Sequence, residues 1–494
     1  MLSATKSPSF LKTSDDIDRI RSLDREYVWH PFTPFSVWLD KDYEPTVIVE
    51  GKGCVLKDAA GREFLDGNSS IWVNLHGHRN PKIDRAIKSQ LGKIAHSSFL
   101  GLTNELAPAL AEKLVEFCRP ADGDPGKYPS RVFFSDDGST AIEAAIKIVV
   151  QFYEMTGEGR RNQFVSLGRG YHGDTVGAMS VSHSDGFHRF HKKLQFPSKE
   201  AMIPYCYRCR YNTAPPEKQD ARRSRRCGFE CISEFRNAVE ECGDSFAGTV
   251  IEPAIQGAAG MVMHPEGYLE AVGKITREAG GKLILDEVMT GFYRTGSPMA
   301  FHHEKCEPDA ICLAKGLTAG YLPLAATIVT DALVQPFLGG PEKTFYHGHS
   351  YSGNQLGCAA ALENLRILTS GNFSKRLLGK IRLMQRESRR FWEFQNVGDV
   401  RQSGLILAIE IVENYESRTA FDPAMRLGWK ISEAAKNYGL LTRCIGDVLL
   451  LMPPLAATRA QIKQYVQKLY EAMQSVLGAP GLSASGKKRA DDGI

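Results

Sequence analysis

The apolar positions of this chain fall into short continuous runs separated by stretches with helical spacing. From about Ser130 to Ala326, strand-like runs such as 131–135, 162–167, 282–288 and 310–314 alternate with helical segments. That alternation argues for an α/β architecture, a mostly parallel sheet covered by helices. Between Thr46 and Asp66 a shorter apolar alternation, broken by Gly51, Gly53 and Gly61, reads as antiparallel strands. His96 to Cys118 has helical periodicity, and Asn354 to Thr369 reads as a long helix leading out of the sheet region. Helix and strand then alternate to about Leu477. The first 25 residues are polar and are expected to be frayed or loosely helical. The tail 478–494, rich in Gly, Ser and charge, is expected to be disordered.

Bulk properties narrow the function classes. The 494 residues accommodate one large two-domain subunit. With 61 basic and 57 acidic residues the formal charge is +4, too balanced for a nucleic-acid surface. Arg222 to Arg226 is the one dense basic run and reads as a solvated loop. No stretch approaches the ~20 apolar residues of a membrane span. Met1 to Asp15 lacks the apolar core of a signal peptide. A cytoplasmic protein is therefore expected. The 11 cysteines, odd in number and scattered, are unlike a secreted disulfide framework.

The candidate chemistry lies at the ends of the apolar runs. Lys-Leu-Ile-Leu-Asp-Glu-Val (282–288) delivers Asp286, and Ala-Ile-Cys-Leu-Ala-Lys-Gly (310–316) delivers Lys315. A strand-end carboxylate followed by a strand-end lysine suits pyridoxal phosphate: the amine forms the Schiff base and the carboxylate keeps the pyridine nitrogen protonated. Upstream, 130–147 reads as strand, glycine turn and helix, with Gly138 in the turn and Ser139 and Thr140 at the helix start. Thr140 with Glu143 fits a capping box. Such a helix start is an anion site, and it lacks the lysine and spacing of a nucleoside-triphosphate loop. Tyr171, in the turn-rich loop 168–175, offers a flat face for a ring. His172 beside it reads as structural. Alone, each part has an ordinary reading, a loop lysine or a capped helix; the case rests on all of them standing in order.

These motifs resemble the class III, fold-type I aminotransferases that use pyridoxal phosphate, over about Tyr27 to Leu477. The more specific matches are Trp-His-Pro-Phe-Thr (29–33), Asp-Gly-Asn-Ser-Ser-Ile-Trp-Val-Asn-Leu-His-Gly-His (66–78), Tyr-His-Gly-Asp-Thr (171–175), Gly-Phe-Tyr-Arg-Thr-Gly (291–296), His-Gly-His-Ser-Tyr-Ser-Gly-Asn (347–354) and Leu-Met-Pro-Pro (451–454). The first, second and last point to the branch of biotin synthesis that transaminates 8-amino-7-oxononanoate to 7,8-diaminononanoate. The resemblance implies a large cofactor domain, 76–359, and a discontinuous small α/β domain from 1–75 and 360–477. It also implies a homodimer with active sites at the subunit interface. By position it implies Lys315 and Asp286 as catalytic. It implies Gly138, Ser139, Tyr171, Val288, His349 and Ser350 around the cofactor, and Phe32, Ile71, Trp72, Tyr171, Gly348 and Arg443 around substrate. Gly348, His349 and Ser350 correspond to a loop that reaches the partner's site; the family commonly has Pro-Thr where this chain has His349-Ser350. No metal is assigned to the catalytic centre.

Two readings stay open. Most described relatives in that branch take the amine from S-adenosylmethionine and carry a Trp-Trp pair and a tyrosine where this chain has Ile71-Trp72 and Phe32. The absent ring and hydroxyl look more like the branch that uses lysine. Second, Cys206-Tyr-Arg-Cys209 and Cys227-Gly-Phe-Glu-Cys231 lie in an apparent insertion at about 204–232, and suit either free thiols or a zinc or iron–sulfur staple. The rival functions are another ω-amino-acid aminotransferase of the same class and a cofactor-binding regulator without turnover. A regulator is expected to lose Lys315 or Asp286, and the chain has both.

Overall fold

The computed structural model of the protein describes residues 14–480. Its centre is a seven-stranded sheet with the edge-to-edge order Arg131–Ser135, Ala325–Val329, Ala310–Leu313, Lys282–Asp286, Phe246–Ile251, Gln163–Leu167 and Lys199–Ala201. Six strands run parallel; Ala325–Val329 is antiparallel to both neighbours. Every residue of Phe246–Ile251, Ala310–Leu313 and Ala325–Val329 is buried, as expected for strands covered on both faces. The long helix Gly138–Met155 lays Ala141, Ile142, Ala145, Ile146, Val149 and Tyr153 against the sheet, the spacing of one buried face. The Tyr153 hydroxyl ends that face, donating within reach of the carbonyls of Ala247 and Gly280.

The two ends of the chain meet beside this sheet. Ile48–Lys52, Val55–Asp58 and Glu63–Asp66 form the expected antiparallel strands, and Leu440–Leu441 adds in parallel to the last of them. A second antiparallel sheet, Val397–Ser403, Ile406–Ile411, Val448–Leu451 and Cys444–Ile445, packs near the helices Phe373–Glu387, Leu427–Asn437 and Arg459–Leu477. The tail expected to be disordered lies, beyond residue 480, outside the described residues.

Three local readings change. The N-terminal stretch holds a regular helix, Ser14–Tyr27, docked by the Arg25 guanidinium on the Tyr43 carbonyl at 2.6 Å. The helix expected from His96 begins only at Leu106, with Asn104 Oδ1 accepting from the Leu106 and Ala107 N–H groups. Residues 96–97 are instead drawn to the loop at 350–355: His96 Nε2 donates to the Ser350 carbonyl at 2.7 Å, and Gln355 bonds Ser97. The basic run 222–226 is not a free loop. Ala221–Ser224 forms a helical turn, and Arg222 is held by Asp220 and by the Gln402 carbonyl.

Candidate active site

The carboxyl ends of Arg131–Ser135, Lys282–Asp286 and Ala310–Leu313 border one cavity of about 440 Å³, the position where parallel sheets seat ligands. Gly138, Ser139, Tyr171, Asp286, Val288, Lys315 and Trp72 all line it.

The cradle forms differently from the sequence expectation. The helix cap is Asp137, not Thr140: its Oδ1 accepts from the Thr140 N–H at 2.9 Å, and its own N–H donates to Thr140 Oγ1 at 3.0 Å. A carboxylate is a stronger acceptor for helix-start N–H groups than a hydroxyl, so the helix begins at Gly138. Glu143 turns outward and accepts from the Gly177 and Ala178 N–H groups. The N–H groups of Gly138 and Ser139 are left without an acceptor among the described residues. Ser139 Oγ accepts from the Asp174 N–H at 3.1 Å, leaving its own hydrogen to donate. A Cβ on Gly138 would sit 2.8 Å from Val288 Cγ1, so glycine is what lets the turn close on Val288.

Lys315 follows the buried strand Ala310–Leu313 with φ +40°, a left-handed turn that redirects its side chain. Its Nζ lies 5.2 Å from the centre of the Trp72 ring and has no hydrogen bond or ion pair among the described residues. Burial pushes its pKa below that of an ordinary lysine and Arg294 adds to this, while Asp286 and Glu252 oppose it. The amine is thereby moved toward the neutral form that a nucleophile or base requires.

Asp286 is buried and doubly held. Its Oδ1 accepts from the Val288 N–H at 3.1 Å, and its Oδ2 accepts from His172 Nδ1 at 2.7 Å. His172, read from sequence as structural, is therefore a direct partner of the strand-end carboxylate. Burial disfavours its charged form, but the bond to Asp286 and the charges of Asp286 and Glu252 outweigh burial, and its pKa is raised.

Of the remaining candidates, Tyr171 belongs to the lining and the others stand outside it. Tyr171 lines the cavity and donates to Asp174 Oδ2 at 2.7 Å. Phe32 stands at the rim, 63% exposed and edge-on to Tyr171 at 6.5 Å. Ile71 is exposed beside the inward-facing Trp72. His349 Nδ1 lies 3.4 Å from Asp136 Oδ2, next to the cradle, and Gly348 and Ser350 flank it outside the lining. Arg443 is half-buried outside the lining, with no carboxylate partner among the described residues.

Two buried groups escaped the sequence reading. Glu252 lines the cavity, accepts from the Gly257 N–H at 2.8 Å, and has its pKa raised by burial. Its signal was present: a carboxylate directly after the apolar run Phe246–Ile251, the pattern that drew attention to Asp286. Arg294 is 1% exposed and donates to the carbonyls of Trp72, Asn74 and Pro453 and to Ser69 Oγ. Nothing local in the sequence marks that role.

Pyridoxal phosphate fits this donor set. An unpartnered buried amine, a carboxylate fixed by two donors, and free N–H and O–H groups at the start of an 18-residue helix match its aldehyde, ring nitrogen and phosphate.

Comparison with known proteins gives the same picture. The family description Aminotransferase class-III matches residues 39–473. A Geobacter sulfurreducens relative described as adenosylmethionine-8-amino-7-oxononanoate aminotransferase is 40% identical over 465 residues, covering 94% of this chain and 99% of the relative. The crystal structure of the so-named enzyme from Methanocaldococcus jannaschii superposes with a TM-score of 0.84 at 38% identity, covering 93% of this chain and 99% of that one. A PLP-bound amine transaminase from an uncultivated Pseudomonas species superposes with a TM-score of 0.82 at 30% identity, over 91% and 99% of the two chains. With the match spanning the central sheet, the two smaller sheets and the residues that line the cavity, the chain belongs to the class III aminotransferases.

Proposed function

We propose that this aminotransferase moves an amino group onto the ketone of 8-amino-7-oxononanoate, giving 7,8-diaminononanoate for biotin synthesis, with S-adenosylmethionine or L-lysine as donor. The observation that carries the chemistry is the unpartnered Lys315 amine sharing a buried cavity with Asp286. The choice of ketone rests on the near-full-length similarity to relatives that bear that name.

The cofactor is pyridoxal phosphate, which when bound supplies an electron-poor ring that accepts the electron pair of the breaking C–H bond. Lys315 would hold the cofactor covalently at rest and, once released, its neutral Nζ would take the proton from the amine-bearing carbon and deliver it to the carbon that was the cofactor's aldehyde. Asp286, kept in place by His172 and Val288, holds a proton on the ring nitrogen. Gly138 and Ser139 would bind the phosphate, Tyr171 and Val288 would enclose the ring, and Trp72 would wall the substrate side. Phe32, Ile71 and Arg443 belong to the substrate's outer reach. Arg443, without an acidic partner among the described residues, is suited to a substrate carboxylate.

The working unit is a homodimer in which Gly348, His349 and Ser350 serve the partner's site. Supporting this, Trp29, Leu100, Phe190 and Tyr346 are 78–81% exposed in the single chain, large apolar side chains that an assembly would cover. The pairing of Leu440–Leu441 with Glu63–Asp66 supports one small domain built from both chain ends, 1–75 and 360–477. A second reading, a broader amine transaminase, is favoured by amine transaminases among the structural neighbours. Incubating purified protein with 8-amino-7-oxononanoate and a panel of donors decides between them: diaminononanoate must form, and faster than the aminated products of simple ketones.

A further inference from the structure

We infer that Cys206, Cys209, Cys227 and Cys231 form a structural site for a single zinc ion that staples the 204–232 insertion. The cysteines belong to two separate arms. Cys206 and Cys209 lie on and after the short turn Cys206–Arg208; Cys227 precedes, and Cys231 opens, the helix Glu230–Cys242. The fold nevertheless brings all four to one small cavity, together with Arg225, Asn212 and Phe229. CxxC and CxxxC pairs from two arms are the usual supply of a tetrahedral thiolate site. No disulfide joins them.

The cavity's size selects the occupant. At about 10 Å³ it has room for one water-sized particle. That suits a lone ion better than an iron–sulfur cluster. Zinc is also the ion that prefers four thiolates in a closed tetrahedron. The residual negative charge of such a site has a counterion in place: Arg225 NH1 lies 3.4 Å from Cys227 Sγ, with its guanidinium over the Phe229 ring.

Such a staple would reinforce a thinly packed insertion. Its own apolar cluster is small, Tyr205, Cys206, Tyr207 and Ala221 with a few residues of the body, and residues 209–220 form no helix or strand. One arm is pinned by Arg208 on Glu410 and by Arg418 on the Tyr207 and Ala214 carbonyls. The other arm is carried by the helix Glu230–Cys242. The arms already share hydrogen bonds, Arg210 and Tyr211 on Glu234 and the Thr213 N–H on the Arg226 carbonyl, and a metal would add a tie through all four thiols, as in domains with little core of their own. Among the described residues no group of three or more ligating side chains stands ready to hold a metal. Closing the site therefore requires the thiols to rotate about Cα–Cβ between staggered wells. Each S–H bond then breaks as a Zn–S bond forms, and the protons pass to solvent without any redox change.

The test uses the full chain produced with zinc and purified without chelator. Metal is measured by inductively coupled plasma mass spectrometry, and zinc release is followed as a mercurial titrates the thiols. The expected result is about one zinc per chain, released as four thiols react. A Cys209→Ser/Cys227→Ser variant should hold less than about one-tenth of an equivalent and be cut faster by protease within 204–232. If that variant does not fold, the wild type alone decides: chelation should expose the insertion to protease and added zinc should protect it again. Less than about one-tenth of an equivalent after zinc is added to reduced wild type would overturn the inference. So would iron with acid-labile sulfide, or cross-linked peptides showing a disulfide between the arms.

Discussion

Replacing Asp286 by Asn separates the chemical role of this carboxylate from its structural one. The substitution keeps size and removes charge. The wild-type carboxylate accepts two donors, His172 Nδ1 at 2.7 Å and the Val288 N–H at 3.1 Å. An amide has one oxygen, so serving Val288 turns the NH₂ toward His172, which must then switch tautomer and accept. Two charge-assisted bonds become neutral ones, a loss of about 1–2 kcal/mol. Because the amide can still bond both Val288 and His172, the fold should survive, with melting lowered by a few degrees. Catalysis loses more. Without a carboxylate the ring nitrogen is no longer held protonated, and the proton-transfer step should slow by about 10²–10⁴-fold, or about 3–5 kcal/mol of barrier. Stopped-flow amination of the bound cofactor gives the rate, and the His172 ring resonances in NMR report the lowered imidazole pKa that follows from losing the partner. A variant that keeps its half-reaction rate within about tenfold, while His172 titrates as in wild type, would refute the assignment.

Lys315→Ala should abolish turnover and the visible absorbance of the lysine-bound cofactor while melting close to wild type, since the amine makes no hydrogen bond or ion pair to lose; transamination near the wild-type rate would overturn its role. Lysine should aminate the cofactor faster than S-adenosylmethionine at equal concentration, because exposed Ile71 and Phe32 offer neither a second indole nor a hydroxyl at the rim; Ile71→Trp should shift the ratio toward S-adenosylmethionine, and the reverse order in wild type would sink the idea. Acid should destabilise the fold through His264, whose two ring nitrogens are buried without partners and whose pKa burial pushes down to about 3. As pH falls below the ordinary value of about 6.5 the unfolded chain gains a proton that the folded one refuses, so stability drops by roughly 1.4 kcal/mol per pH unit from this group. In denaturant titrations His264→Leu should be at least as stable at pH 7.5 and lose less between pH 6.5 and 5; an equal loss in both proteins counts against it.

What the sequence disclosed follows from how local each signal was. The strands ending in Asp286 and Lys315 were legible because a parallel strand buried on both faces is a continuous apolar run, and a charged residue at its end stands out. Glu252 sends the same signal, but nothing else in its segment points to chemistry. The cap at Asp137 was misassigned because Thr140 and Glu143 satisfy the capping pattern equally well on paper; the choice depends on Glu143 finding Gly177 and Ala178, a contact 34 residues away. The helix expected from His96 failed for the same reason, since His96 and Ser97 bond to Ser350 and Gln355 in the 350–355 loop, more than 250 residues away. His172 could not be paired with Asp286 across 114 positions by any local rule.

The turn at Ser69–Trp72 shows where the two halves of the fold act on one site. Ser69, Ser70, Ile71 and Trp72 all have positive φ, between +46° and +70°. For non-glycine residues this costs roughly 1–2 kcal/mol each, and a β-branched isoleucine is a poor occupant. The surroundings hold it. Asp66 accepts from the Ser70 N–H at 3.0 Å and hydroxyl at 2.9 Å, and the Ser69 hydroxyl donates to the Met452 carbonyl at 2.6 Å. Arg294 binds the Trp72 and Asn74 carbonyls on one side and that of Pro453 on the other. Arg294 has no ion-pair partner among the described residues and burial lowers its pKa to about 9, so its charge is answered by carbonyl dipoles. These contacts tie the segment after Glu63–Asp66 to the one after Val448–Leu451 and swing Trp72 inward, over Lys315, while Ile71 faces out. A relaxed turn would not need both ends of the chain to hold it. The strain makes the wall of the catalytic cavity depend on their docking, which links assembly of the small sheets to the shape of the substrate side.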